Sequence, residues 1–207
     1  MNWATVVLTA PRPEPTLERT LTSLRRAGWP DCLVSEDPGS GGQFPAWIEA
    51  LKGIVRRRPD ADAYLVIEDD VVFCRELREY IERTLWPDEP NKVALCSPYS
   101  PAVYRVERRG WNRQQRGFHL VGALTWILPP NAARDVLRDL SSLVGTEASL
   151  RGADYLVGDW AAKTRRTVWY HTPSLAQHLG LRNSARGDDA VGPMRRADDF
   201  IGEEAAP

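Results

Sequence analysis

The chain has 207 residues, 43% hydrophobic and 27% charged, ordinary figures for one globular domain able to bury a sizeable core. Its net charge of -1 gives no reason to expect a nucleic-acid or anionic-membrane partner. Three widely spaced cysteines, Cys32, Cys74 and Cys96, argue against a disulfide framework and a zinc site, and no apolar run is long enough for a membrane span. The start, "MNWATVVLTAPRP", lacks the basic and long apolar regions of a signal peptide, so a reducing cytoplasm is expected.

In chain order, "ATVVLTA" is a continuous apolar run of strand length, stopped by "PRPEP". "PTLERTLTSLRRAGW" carries Leu17, Leu21 and Leu24 at helical spacing, with Thr16 as cap and Gly28 at the end. "DCLVSEDPGSGG" reads as a strand entering a Gly-rich loop. "FPAWIEALKGIVRRRP" reads as a helix and "AYLVIEDD" as a third strand. "RELREYIERTLW" is a helix, "KVALCSPY" a strand, 104–120 a basic insertion with aromatics, and "GALTWILPP" a strand. "NAARDVLRDLSSL" is a helix capped by Asn131, and "GDWAAKTRR" a short helix starting at Asp159. "TVWYHTPSLAQHLG" is a strand leading into a loop. From residue 182 the chain loses apolar periodicity and reads as a flexible tail, leaving 1–181 as one domain.

Alternating strands and helices predict right-handed βαβ units in a mostly parallel sheet, and unbroken apolar runs predict strands covered on both faces. Ligands of such sheets bind beyond the carboxyl ends of the strands. That rule gathers Thr9 to Arg12, Glu36 to Gly42 and Glu68 to Asp70 on one edge. The run "YLVIEDDVVF" then poses a question. Three adjacent acids repel and lose hydration near a core, so they are either a solvated turn or the oxygen ligands of a hard divalent cation. His178, just past a strand-like stretch, is either structural or a further ligand. Asp159 is either a helix cap or a base held ionised at a helix start. Neither GxGxxG nor GxxxxGK[ST] occurs, which disfavours dinucleotide binding and P-loop phosphoryl transfer.

The order "VVLTA", "SEDPG", "YLVIEDDVVF", "GALTWIL", "GDW" and "PSLAQHLG", over about residues 4–180, resembles a glycosyltransferase of the GT-A fold that uses nucleotide-sugar donors. "IEDD" resembles the EDD form of the family's DxD motif, and "PSLAQHLG" its C-terminal "PSLVQHIG" segment. The resemblance implies a Rossmann-like α/β three-layer sandwich, a Mn²⁺ or Mg²⁺ ion, a UDP-sugar donor and a carbohydrate or other hydroxyl acceptor. It implies that Asp70 and His178 bind the metal, and that Thr9, Ala10 and Asp37 hold the nucleoside. Asp69 would lie near the ribose or donor sugar, Glu68 would occupy the first DxD position among the donor-binding residues, Gly122 and Ala123 would line the sugar, and Asp159 would be the base. A bound metal would compensate the clustered acids.

The rivals are a metal-dependent nucleotidyltransferase, whose usual Gly-rich loop after the first strand "TAPRPEP" lacks, and a non-catalytic nucleotide- or sugar-binding module. In the insertion, Arg105, Arg108, Arg109, Arg113 and Arg116 with Trp111 and Phe118 form either a solvated loop or an acceptor surface. In the tail, Arg186, Arg195 and Arg196 are either a solvated end or a cover for the diphosphate.

Overall fold

A computed structural model describes residues 1–37, 42–104, 106–114, 120, 122–180 and 196–207. The first half runs β1 (Trp3–Thr9), α1 (Leu17–Arg26), β2 (Leu33–Glu36), α2 (Gln43–Arg57), β3 (Ala63–Glu68), β4 (Val71–Phe73) and α3 (Leu77–Thr84). The second runs β5 (Val93–Ser97), β6 (Gly110–Arg113), β7 (Thr125–Leu128), α4 (Pro130–Leu140), α5 (Ala153–Lys163), β8 (Thr167–Thr172) and β9 (Ala176–His178).

Seven strands form one sheet in the order β2-β1-β3-β7-β5-β8-β6. β1 runs parallel to β2 and β3, and β5 parallel to β8, while β7 and β6 run against their neighbours. The sheet is thus mostly parallel and packed between helices, as the resemblance implies. Side-chain alternation divides the strands between two cores. Val6, Leu8, Tyr64, Val66, Trp126 and Leu128 pack with α2, α4 and α5. There Trp47 meets Trp126 edge to face, with ring centroids 5.4 Å apart. Val7, Leu65, Ile67 and Ile127 pack on the other face with α1 and α3. Both faces are therefore apolar, which is why the strands read as unbroken hydrophobic runs.

Four local expectations change. "VVF" is a strand, β4, and pairs antiparallel with β9 in a small second sheet. The insertion supplies β6, which extends the main sheet beside β8. Its Trp111 is buried, donates Nε1–H to Thr84 Oγ1 at 3.1 Å and packs edge-on to His171, so it is a core residue and not a sugar platform. Thr16 takes the N-cap position of α1, but its hydroxyl makes no capping bond, and Asn131 does not cap, because Pro129 precedes α4 with Asn131 already inside it. α5 begins at Ala153 after Gly152, so Asp159 lies in its second half.

The final residues are not free over their whole length. Ala197 is buried, and Phe200 and Ile201 pack against the α1–α3 core. Arg105, Arg116, Phe118, Arg186 and Arg195 lie outside the described residues. No helix among the described residues is long and apolar enough to cross a membrane.

Candidate active site

The site forms where β1 and β3 end side by side. Their register pairs Leu8 with Glu68, which sets Thr9 next to Asp69. Thr9 Oγ1–H donates to Asp69 Oδ2 at 2.5 Å. Arg12, from the loop after β1, forms an ion pair with Asp69 Oδ1 and reaches Asp70 Oδ2 at 3.4 Å. The turn itself is held by α1. Thr20 Oγ1–H donates to the Asp69 carbonyl at 2.6 Å and accepts the Val71 N–H at 3.2 Å. Ser23 Oγ in turn accepts the Phe73 N–H at 2.8 Å. Two buried hydroxyls of a helix thus satisfy one edge of β4, while β9 satisfies the other.

That second pairing brings His178 into the site. Val71 stands opposite His178, and the Leu179 N–H donates to the Asp70 carbonyl at 2.8 Å. His178 Nε2 lies 3.1 Å from Asp70 Oδ2. Asp69 and Asp70 are only 1% and 8% exposed. Among the described residues, Asp70 Oδ1, His178 Nδ1 and Arg12 Nε are buried without a hydrogen-bond partner. Burial pushes the Asp70 carboxyl up, but His178 and Arg12 outweigh it and hold the group below its usual range. Asp69 ends above its usual range, because burial exceeds what the Thr9 hydrogen bond and Arg12 return.

Glu68 looks to the other face of the sheet. Gln43 Nε2–H, at the start of α2, donates to Glu68 Oε1 at 2.5 Å, and Gln43 Oε1 accepts the Ala153 N–H at 3.3 Å. Burial, together with the negative charges of Asp70 and Asp154, pushes the Glu68 carboxyl up to about 7. Asp154, in the first turn of α5, is therefore part of the site's electrostatics.

Five of the expected residues converge here: Thr9, Glu68, Asp69, Asp70 and His178. Asp37 shares the edge, since its N–H donates to the Thr9 carbonyl at 2.7 Å, and half-buried Ala10 follows Thr9. Gly122 takes φ +77°, and a Cβ there would stand 3.3 Å from the Tyr99 ring. The segment it begins lies beside β3, because the Glu68 N–H donates to the Leu124 carbonyl at 2.8 Å. Ala123 is 1% exposed, with its methyl in the core, so its side chain faces no open space. Asp159 is the outlier: its side chain is 48% exposed and bound to Arg151 at 2.8 Å. Gln43 and Asp154 are members that the sequence does not point to, while Arg12 is placed on this edge by the sequence but without a role. The one signal for Arg12 was its place at the end of β1.

A hard divalent cation fits this donor set. It takes oxygen ligands and keeps waters or phosphate oxygens, and the unpartnered buried Oδ1 of Asp70 is an oxygen of the kind it takes. Among the described residues no group of three His, Cys, Asp or Glu side chains is placed to hold a metal by itself. An ion here would need ligands from a substrate. A surface cavity of about 330 Å³, lined by Trp3, Asp31, Cys32 and Arg57, opens at the amino ends of β1 and β2, away from all these residues.

No protein-family model matches the sequence, and no curated protein matches it. Among solved structures, the chain is similar to a glycosyltransferase involved in the glycosylation of the major capsid of PBCV-1, with a TM-score of 0.57 and 11% identity over 90% of this chain and 98% of that one. It is also similar to A197 from STIV, with a TM-score of 0.51 and 12% identity over 99% and 97% of the two chains. At such identities the likeness is one of fold, and it extends over nearly the whole of both chains.

Proposed function

We propose that the protein is a metal-dependent glycosyltransferase that moves a sugar from a nucleotide-sugar, most simply a UDP-sugar, to an acceptor hydroxyl. The observation that carries this reading is the meeting of Asp70 and His178 across the β4–β9 pair, with unpartnered buried donor atoms, at the carboxyl edge of the sheet. Asp70 and His178 would hold Mn²⁺ or Mg²⁺. The ion would supply Lewis-acid stabilisation of the departing diphosphate. Thr9, Ala10 and Asp37 flank the nucleoside, with the Thr9 hydroxyl committed to orienting Asp69. The backbone at Gly122 and Ala123 borders the donor sugar, where Glu68, protonated below about pH 7, can donate a hydrogen bond. Removal of the acceptor proton falls to an acid on α5. Asp154 is better placed than Asp159, because it sits in the first turn and acts on Glu68, whereas Asp159 is exposed and ion-paired.

Calorimetric titration of UDP, with and without Mn²⁺, tests the reading on wild type and Asp70→Ala. UDP binding that requires Mn²⁺ and is lost in the variant is the expected result. A folded wild type that binds none of UDP, GDP or CDP in the presence of Mn²⁺ overturns it.

A further inference from the structure

Arg12 is itself the cation of the acid pair in this structure. Its guanidinium binds Asp69 and spans to Asp70 Oδ2 at 3.4 Å, with its side chain only 9% exposed. The loop that carries it reads Pro11-Arg12-Pro13. Both prolines have a fixed φ, and Arg12, preceding one, is confined to extended backbone. The backbone is therefore stiff, and the side chain is the part able to move.

The guanidinium has five donors and no need of this partner in particular; carboxylates and diphosphates suit its fork equally. Asp70, by contrast, presents one oxygen to Arg12 and His178 while its other oxygen is buried and unpartnered. A divalent cation docked on Asp70 would stand within a few ångströms of a guanidinium already bound to the same carboxylate. Like charges at that range repel strongly where water is excluded. A nucleoside diphosphate at the strand ends would offer the guanidinium another anion.

Resting on the glycosyltransferase reading, we propose that Arg12 is a resident counter-ion that competes with the divalent cation for the Asp69–Asp70 pair, and that it moves to the donor diphosphate when both ligands bind. Metal and nucleotide are then positively coupled through one side chain.

The test is Mn²⁺ binding, read from the electron paramagnetic resonance of free Mn²⁺, for wild type and Arg12→Gln with and without UDP. Without UDP, Arg12→Gln binds Mn²⁺ about tenfold more tightly than wild type, because an uncompensated carboxylate pair is the better ligand. UDP tightens Mn²⁺ binding in wild type, and that gain shrinks at least about threefold in the variant. A variant that folds only when Mn²⁺ is added also supports the proposal, since the ion then replaces the missing charge. Arg12→Lys serves if the Gln variant does not fold at all: a point charge spans the two acids less well, so its Mn²⁺ affinity also rises above wild type. Equal or weaker Mn²⁺ binding in a folded Arg12 variant, beside a wild type that binds Mn²⁺ and UDP, overturns the proposal and leaves the function standing. A wild type that binds neither overturns both.

Discussion

Three consecutive acids end in three different environments, and those environments rather than the residue types set their chemistry. Asp70 is held ionised by His178 and Arg12, Asp69 is clamped between Thr9 and Arg12, and Glu68 is turned to the opposite face and pushed up to about 7. Glu68 gives a pH prediction with a definite sign. In the unfolded chain a glutamate loses its proton near pH 4.3, roughly, while here it keeps it to about 7. Between those values the native state binds more protons than the unfolded state, so this group lowers stability as pH rises through that window. Glu68→Gln keeps the oxygen that accepts from Gln43 and removes the ionisation. In metal-free protein it is expected to raise stability above pH 7 by at most about 4 kcal/mol and to change nothing below pH 4. Urea denaturation at both pH values checks this, and a variant less stable than wild type at pH 8 contradicts it. The acids were legible in the sequence because a charged run at a strand end is conspicuous. Arg12 was legible as a member of the strand-end edge but not as the partner of the acids, because only the side-by-side ends of β1 and β3 bring it to Asp69 and Asp70.

At the scale of elements, the long units were legible and the short or non-local ones were not. β1, β3, α1 and α2 follow from continuous apolar runs and helical spacing. β4 is three residues long, too short for any period, and exists because β9 and the hydroxyls of Thr20 and Ser23 satisfy its two edges. The start of α5 was misread because Gly158 looked like a boundary. Gly158 lies inside the helix, where a Cβ would stand 3.1 Å from Leu120 Cγ, so it is a packing glycine. The true boundary is Gly152 at φ +90°, where a Cβ would stand 3.0 Å from Asp154 Oδ1 and 3.1 Å from Gln43 Oε1. This shift moves the helix-start acid from Asp159 to Asp154. Once a donor is in hand, Asp154→Asn is expected to lower turnover by about a hundredfold or more, with UDP affinity retained. Asp159→Asn, losing only an exposed pair with Arg151, is expected to leave turnover within a few-fold of wild type. The opposite ranking in steady-state kinetics would restore Asp159 as the base.

At the scale of the whole molecule, the chain's last residues fasten the elements that carry the site. The Ala102 N–H donates to the Arg196 carbonyl at 3.3 Å, and the Ser174 N–H to Asp199 Oδ1 at 3.0 Å. The Arg75 N–H donates to the Ala205 carbonyl at 3.1 Å, while Glu203 and Glu204 pair with Arg19 and Arg26 on α1. The central fastening is Gln177 on β9, next to His178. Its Nε2–H donates to the Ala197 carbonyl at 2.7 Å, and its Oε1 accepts the Ala197 N–H at 3.0 Å, both buried. Charged, aperiodic sequence gave no sign of this, because the central anchor is backbone bonding to a distant glutamine and the others are likewise non-local. Gln177→Ala strands two buried backbone groups, a loss of about 2 kcal/mol or more. Because β9 also aligns His178 with Asp70, the same variant is expected to bind Mn²⁺ and UDP more weakly and to be cut faster by trypsin after Arg196. Arg26→Ala removes only a solvated pair and is expected to change neither property. If Gln177→Ala denatures at the wild-type midpoint and binds both ligands as well as wild type does, the terminal residues are a covering and not a support for the site.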